Sequence, residues 1–382
     1  MENRVKGLDG LRGVAIIIVM ALHIFKRTTN FTDHAVLLSI TNFTAVGWVG
    51  VDIFFALSGF LITSILLRAK QQEHYFRNFY VRRVLRIFPL YYAALALILL
   101  FAPKVEPEFT KQLNIALPVL LLYQQNWAML FNGFHLTQYL SITWSLAIEE
   151  QFYFIWPLVV FFLSRERLIK VSIGYIAVSL TARILGTIFW GDLAQVSNFF
   201  YYASFARFEE MLFGALLAIF LTGDGAREQV RRYSLPLFVV SFSTFIILCL
   251  MMLPNTPHPV YANFPLTIGG YTTAALFTIG LIGIFITHPP KNILNQLFQN
   301  PILAFFGKYS YSMYLFHISV ALILLDVIWH SELRGWKAYF LYIIVTYAIT
   351  ILVSLLTWNL LEKHILGLKK YFEYKNPKQL ER

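Results

Sequence analysis

Arg12 and His23 stand eleven positions apart in the apolar run "GLDGLRGVAIIIVMALHIF", residues 7–25. With Ile16 and Val19 between them, at i, i+4, i+7 and i+11, they share one helix face, and a rise of about 1.5 Å per residue puts the imidazole about 16 Å beyond the guanidinium. A neutral imidazole can take a proton from a hydroxyl or attack an activated carbonyl carbon. A lone histidine in a membrane span serves as readily as a packing residue that hydrogen-bonds a neighbouring helix, so its company decides.

Three further stretches carry polar chemistry. "GWVGVDIFFALSGFLIT" holds Asp52 near one end and Ser58 midway. Asp52 reads either as a solvated interface carboxylate or as a group deep enough to orient His23, and Ser58-Gly59 reads as a close-packing site before a nucleophile. In "SLAIEEQFYFIWP", Ser145, Glu149, Phe152, Tyr153 and Trp156 share a face while Glu150 points about 100° away. A carboxylate inside a bilayer is costly and marks a site, unless it only neutralises a buried Arg183 or Arg207. "RNFYVRRVLRIFPLYY" stacks Arg82 or Arg83 with Arg86 on one turn before Pro89. Such arginines either fix topology or, with aromatics between them, hold a phosphate-rich, purine-bearing ligand. His317, in "GKYSYSMYLFH", adds an imidazole that reads as structural; His34, His135, His258, His288, His330 and His364 fall in loops or ends.

The elements that must position these groups are transmembrane helices. Of 382 residues 58% are hydrophobic and 13% charged, roughly half the charged share of a soluble domain. Several runs reach the roughly 20 residues a bilayer-spanning helix needs, and barrel-type alternation is absent. The expected fold is all-α and polytopic, with ten spans near 10–28, 46–67, 87–102, 145–163, 171–190, 203–222, 235–253, 266–287, 309–329 and 338–361. Residues 113–130, broken by Pro118 and the cluster Gln124, Gln125, Asn126, are expected to be re-entrant or interfacial. With the N-terminus inside, 23 of the 31 Lys and Arg fall in inner segments when Arg12 is counted at the cytoplasmic mouth of the first span, as cytoplasmic loops require. An eleventh span would invert the later loops, including the basic tail Lys363–Arg382. The formal charge of +11 therefore reports topology rather than a nucleic-acid partner. Arg4 and Lys6 precede the first run, but no cleavage site follows, so the run is a retained span. Cys249 is the only cysteine, which excludes an intrachain disulfide. No internal repeat, phosphate loop, HExxH or GxSxG motif occurs, and a single domain over 1–382 is expected.

Taken together, these residues resemble the acyltransferase-3 family of membrane acyltransferases along nearly the whole chain. Arg12 and His23 meet its R-x10-H pattern, Arg83 and Arg86 its RxxR pattern, and Ser145, Glu149, Phe152 and Tyr153 its SxxxExxFY pattern. The span carrying Asp52 is similar to the family's second. The resemblance implies a transferase of the bacterial inner membrane with both termini cytoplasmic. It would move an acyl group, usually acetyl from acetyl-CoA, to a hydroxyl of a cell-surface carbohydrate or its lipid-linked precursor. Some members carry an SGNH domain; none is expected in this sequence.

On that footing Arg12, Arg82, Arg83 and Arg86 would hold the CoA phosphates, and the pantetheine arm would run along the Arg12–His23 stripe. His23 would be the base or nucleophile, with Glu149 or Asp52 fixing its tautomer. Ser145, Tyr153, Trp144 and His317 would meet substrate, with Trp127, Trp144 and Tyr139 as a sugar platform on the outer side. The thioester supplies the energy, so no metal is needed. The competing readings are a secondary transporter of a small polar or anionic solute, which also carries charge at mid-membrane, and an acylator of macrolide-type molecules.

Overall fold

The computed structural model describes residues 5–29, 31, 34–105, 113–130, 136–251, 264–331 and 333–374. His135, His258 and the basic tail beyond residue 374 lie outside them. In chain order the helices are α1 (Lys6–Thr28), α2 (Ala35–Thr44), α3 (Val49–Ala69), α4 (Tyr75–Val105), α5 (Leu113–Leu121), α6 (Trp144–Phe162), α7 (Arg165–Phe189), α8 (Leu193–Tyr202), α9 (Ser204–Phe220), α10 (Ala226–Leu250), α11 (Phe264–Thr287), α12 (Ile293–Phe298), α13 (Pro301–Trp329), α14 (Gly335–Thr357) and α15 (Lys363–Gly367). Among the described residues the fold is all-α and nine helical stretches are long and apolar enough to cross a membrane.

The sixth expected span, 203–222, forms α9, which at 17 residues falls short of that measure. Near its start, Asn126 Nδ2 donates to Tyr202 O and Ser204 Oγ, at 2.9 and 2.8 Å, beside the first turn of α6. At its finish, Arg165 Nε donates to Ile219 O and Thr222 Oγ1, at 3.3 and 3.1 Å, just past the end of α6. Residues 113–130 form α5 and one further helical turn, with a break at Tyr123, whose φ is +53°.

Several helices outrun their apolar windows because caps start them in polar sequence. Ser164 caps α7, with its hydroxyl accepting from Arg167 N–H. Asn300 caps α13 and is followed by Pro301 at the first helical position, where a missing N–H costs nothing. Helix α10 begins in "AREQVRRY", nine residues ahead of the window expected at 235. The sequence between the first two spans, read as a loop, contains α2, tied down by Thr41 Oγ1 at 3.3 Å from Thr28 Oγ1.

Helices α1, α3, α11 and α13 are mostly buried, whereas α7, α10 and α14 form an outer layer. Phe189 (77% exposed) and Ile344 (64%) on that layer present the apolar surface a bilayer requires. Helices α1 and α13 run parallel in backbone contact: a Cβ on Gly13 would stand 2.0 Å from Leu303 O, and one on Gly307 1.9 Å from Asp9 O. Small residues at such seams let helices approach closely where no hydrophobic driving force acts.

Candidate active site

A cavity of about 270 Å³ follows α3 from Ile65 to Val51, fourteen residues or about 21 Å of helix. Its basic end carries Arg83 and Arg86 from α4, Arg12 from α1 and Lys369 from the turn after α15. Midway stand Ser58, Glu149 and Tyr153, and at the far end Ser145 and Tyr314. Four cations face the single carboxylate of Glu149 among the described lining residues, a charge balance suited to an anionic group. Arg12 contacts Asp9 at 3.4 Å, and Arg83 lies over the Tyr153 ring at 5.5 Å. Arg86 makes no hydrogen bond or ion pair among the described residues.

Arg82, on the same turn as Arg83 but about 100° round the helix, is turned away from the cavity. Its guanidinium donates to Phe372 O at 3.4 Å and lies over the Tyr374 ring. The segment it braces is the one that delivers Lys369. No spacing in the sequence marks that lysine, because it reaches the cavity only through the packing of the helical end of the chain, continuous with α14, against α4.

Glu149 Oε1 accepts from both the Ser58 hydroxyl and the Tyr153 hydroxyl. The carboxylate that faces the cavity is thus Glu149, and Glu150 does not line it. The Gly59 backbone packs against Met211, where a Cβ would stand 1.9 Å from the carbonyl oxygen, so Ser58-Gly59 joins close packing to a polar contact.

His23 and His317 meet across α1 and α13, Nδ1 to Nε2, at 3.1 Å. His317 is fully buried and His23 half-buried. The pair lies just past the far end of the cavity. His317 is one turn beyond Tyr314 on α13, and the two rings are 5.8 Å apart.

Three expectations need correction. Neither Asp52 nor Glu149 is hydrogen-bonded to His23, whose ring partner is His317. Asp52 is fully buried rather than solvated; its carboxylate pairs with Arg207, which also meets Glu210 at 2.9 Å. Arg183 pairs with Glu209 at 2.8 Å, so both buried arginines are neutralised without Glu149 or Glu150. Trp144 is no exposed sugar platform: it is 5% exposed and flanks Arg207, 5.8 Å from its guanidinium, together with Tyr201 and Tyr271. Finally, the helix face between Arg12 and His23 is not open, because Ile16 and Val19 are wholly buried. The cavity passes beside that face, along α3.

A cation-lined cavity with a histidine pair just past its end, within an all-α membrane fold, suits the transfer of a group from an anionic donor. The family model described as "Acyltransferase domain", Acyl_transf_3, matches residues 5–358, and the chain belongs to this family. It is 30% identical to peptidoglycan O-acetyltransferase OatA of Listeria monocytogenes over 384 residues, covering 97% of this chain and 57% of the relative. It is 28% identical to O-acetyltransferase OatA of Staphylococcus aureus over 328 residues, covering 82% of this chain and 50% of the relative. The chain thus spans about half the length of the curated relatives it matches. No solved structure matches it.

Proposed function

We propose that the protein transfers acetyl from acetyl-CoA to a hydroxyl of a cell-wall glycan, with its basic end in the cytoplasm of a bacterial cell and the glycan on the opposite side. The observation that carries this reading is the cavity itself, with Arg12, Arg83, Arg86 and Lys369 at one end and the His23–His317 pair just past the other. Guanidinium groups bind phosphates in two-point contacts, and the excess of basic residues at that end fits a cytoplasmic face. The cavity has room for an extended arm rather than a nucleotide, which leaves the nucleotide at the mouth. Peptidoglycan is the favoured acceptor because relatives carry that substrate in their names.

In this mechanism the phosphates bind the four cations, and the arm lies along α3 past Ser58, Glu149 and Tyr153. The acetyl group reaches the region of Ser145 and Tyr314, where His23 removes the proton of the acceptor hydroxyl. The oxygen attacks the thioester carbon, the C–S bond breaks, and the thiolate takes the proton back from His23. Transfer through an acetyl-imidazole on His23 uses the same unprotonated ring nitrogen.

Label from acetyl-CoA, carried in the acetyl group, should enter base-labile esters of the glycan in membranes bearing the wild-type protein. An equally expressed His23→Ala protein should transfer none. Absence of label with the wild type, native glycan present, would sink the donor or the acceptor.

A further inference from the structure

We infer that His317 is a positioning residue: anchored to the backbone through its own Nδ1–H, it holds His23 in the tautomer that leaves Nε2 unprotonated and reactive.

His317 Nδ1 lies 2.7 Å from Tyr314 O and 3.0 Å from Met313 O. Carbonyl oxygens only accept, so Nδ1 must carry a hydrogen. A neutral imidazole has one N–H, which leaves Nε2 of His317 as an acceptor. That atom faces His23 Nδ1 at 3.1 Å, and two ring nitrogens at that distance bond only through one proton between them. The proton therefore belongs to His23 Nδ1, and His23 Nε2 is bare.

The other assignments are costlier. A bare Nδ1 on His317 would turn its lone pair toward two carbonyl oxygens. A doubly protonated His317 would place a cation in a wholly buried site with no carboxylate bonded to it, which carries a large desolvation cost. Free imidazole side chains favour the opposite tautomer, with hydrogen on Nε2, so the tautomer of His23 is set by its surroundings, His317 Nε2 and the Val19 backbone that also bonds the ring. His317 thereby takes the part expected of Asp52 or Glu149. When Nε2 accepts a proton, the charge that forms on His23 is shared through Nδ1–H with His317 Nε2. The accessible ring of the pair is also the correct one, because His23 is half-buried and His317 fully so.

The task given to Nε2 rests on the acetyl-transfer reading; the tautomer does not. The full chain, in lipid, would be labelled with 15N in its histidine rings, and the His23 signals assigned by their loss in His23→Ala. The wild type should show Nδ1 protonated and Nε2 bare on His23. His317→Gln, whose amide oxygen can accept in place of Nε2, should keep that pattern, and His317→Leu should reverse it. Acetyl transfer by His317→Leu should fall in kcat by about 100-fold or more, the direction seen when a triad histidine holds the wrong tautomer. KM for acetyl-CoA should stay within about two-fold because His317 does not line the cavity. Hydrogen on Nε2 of His23 in the wild type, or a doubly protonated His317, would overturn the inference from one spectrum, whether or not the leucine variant folds. The expected spectrum with no acetyl transfer by the wild type would uphold the tautomer and overturn the function instead.

Discussion

The hydroxyl of Tyr314 lies 2.6 Å from Ser145 Oγ and donates to Ile142 O at 3.0 Å. The ring so fixed stands between the cavity and the histidine pair. On the proposed reading, an acetyl group coming from the basic end meets this ring before His23, and water coming from the far side meets it before the thioester.

Tyr314→Ala removes the partition, and the ratio of free acetate released to ester formed should rise several-fold. Tyr314→Phe keeps the ring and loses only its hydrogen bonds, worth about 0.5–1.5 kcal/mol each in stability. Its acetate-to-ester ratio should match the wild type. Equal ratios in all three proteins would show that Tyr314 does not shield the thioester.

The cations at the basic end should separate by their direction. Arg83→Ala, Arg86→Ala and Lys369→Ala should each raise KM for acetyl-CoA by about 10- to 150-fold at similar kcat, since a charged hydrogen bond is worth about 1.5–3 kcal/mol against 1.4 kcal/mol per decade. Arg82→Ala should change it by less than about three-fold on the same scale, because that guanidinium is spent on Phe372 O and Tyr374. An effect of Arg82→Ala as large as that of Arg86→Ala would place the nucleotide elsewhere.

Arg207 holds two carboxylates together in the interior, so its loss should be worse than the loss of either partner. Arg207→Leu strands Asp52 and Glu210 as buried charges, a loss of about 3–5 kcal/mol, read as a drop in folded yield and in the thermal midpoint in detergent. Asp52→Asn leaves the Arg207–Glu210 pair intact and should be milder, with acetyl transfer retained by the folded fraction. Abolished transfer in well-folded Asp52→Asn would give Asp52 a direct part in the chemistry.

Glu149 accepts two hydroxyls on one oxygen, an arrangement a carboxamide oxygen can reproduce. Glu149→Gln should keep the cavity's shape and KM for acetyl-CoA, whereas Glu149→Ala, which orphans Ser58 and Tyr153, should raise KM. A kcat that collapses equally in both variants would mean that the negative charge itself is required.

What could be read from the sequence was whatever lies on a single helix. The R-x10-H spacing aligns Arg12 with His23, RxxR aligns Arg83 with Arg86, and the Ser145–Tyr153 face is visible as i, i+4, i+8. Arg12, Arg83, Arg86, Ser145, Glu149 and Tyr153 do line one cavity. Pairings between helices were not legible, since nothing in periodicity tells which of several buried acids meets Arg207, 155 residues from Asp52. The same limit hid the contact of His23 with His317, 294 residues away, and the arrival of Lys369 from the end of the chain. The expected open stripe failed for a related reason: a helix has more than one neighbour, and on the face that the sequence left free Val19 packs against Gly50 of α3.

The contact of Gly13 and Gly307 with opposing backbone has a further consequence for how the protein meets its bilayer. Thinning or thickening of the hydrocarbon layer is accommodated by changes of helix tilt. Two parallel helices seated backbone on backbone must tilt as one. The separation of His23 from His317, ten residues further along the same two helices, is thereby insulated from lipid chain length. The mouth is only partly protected, because Arg12 stands on α1 but Arg83 and Arg86 stand on α4 and Lys369 on the helical end of the chain.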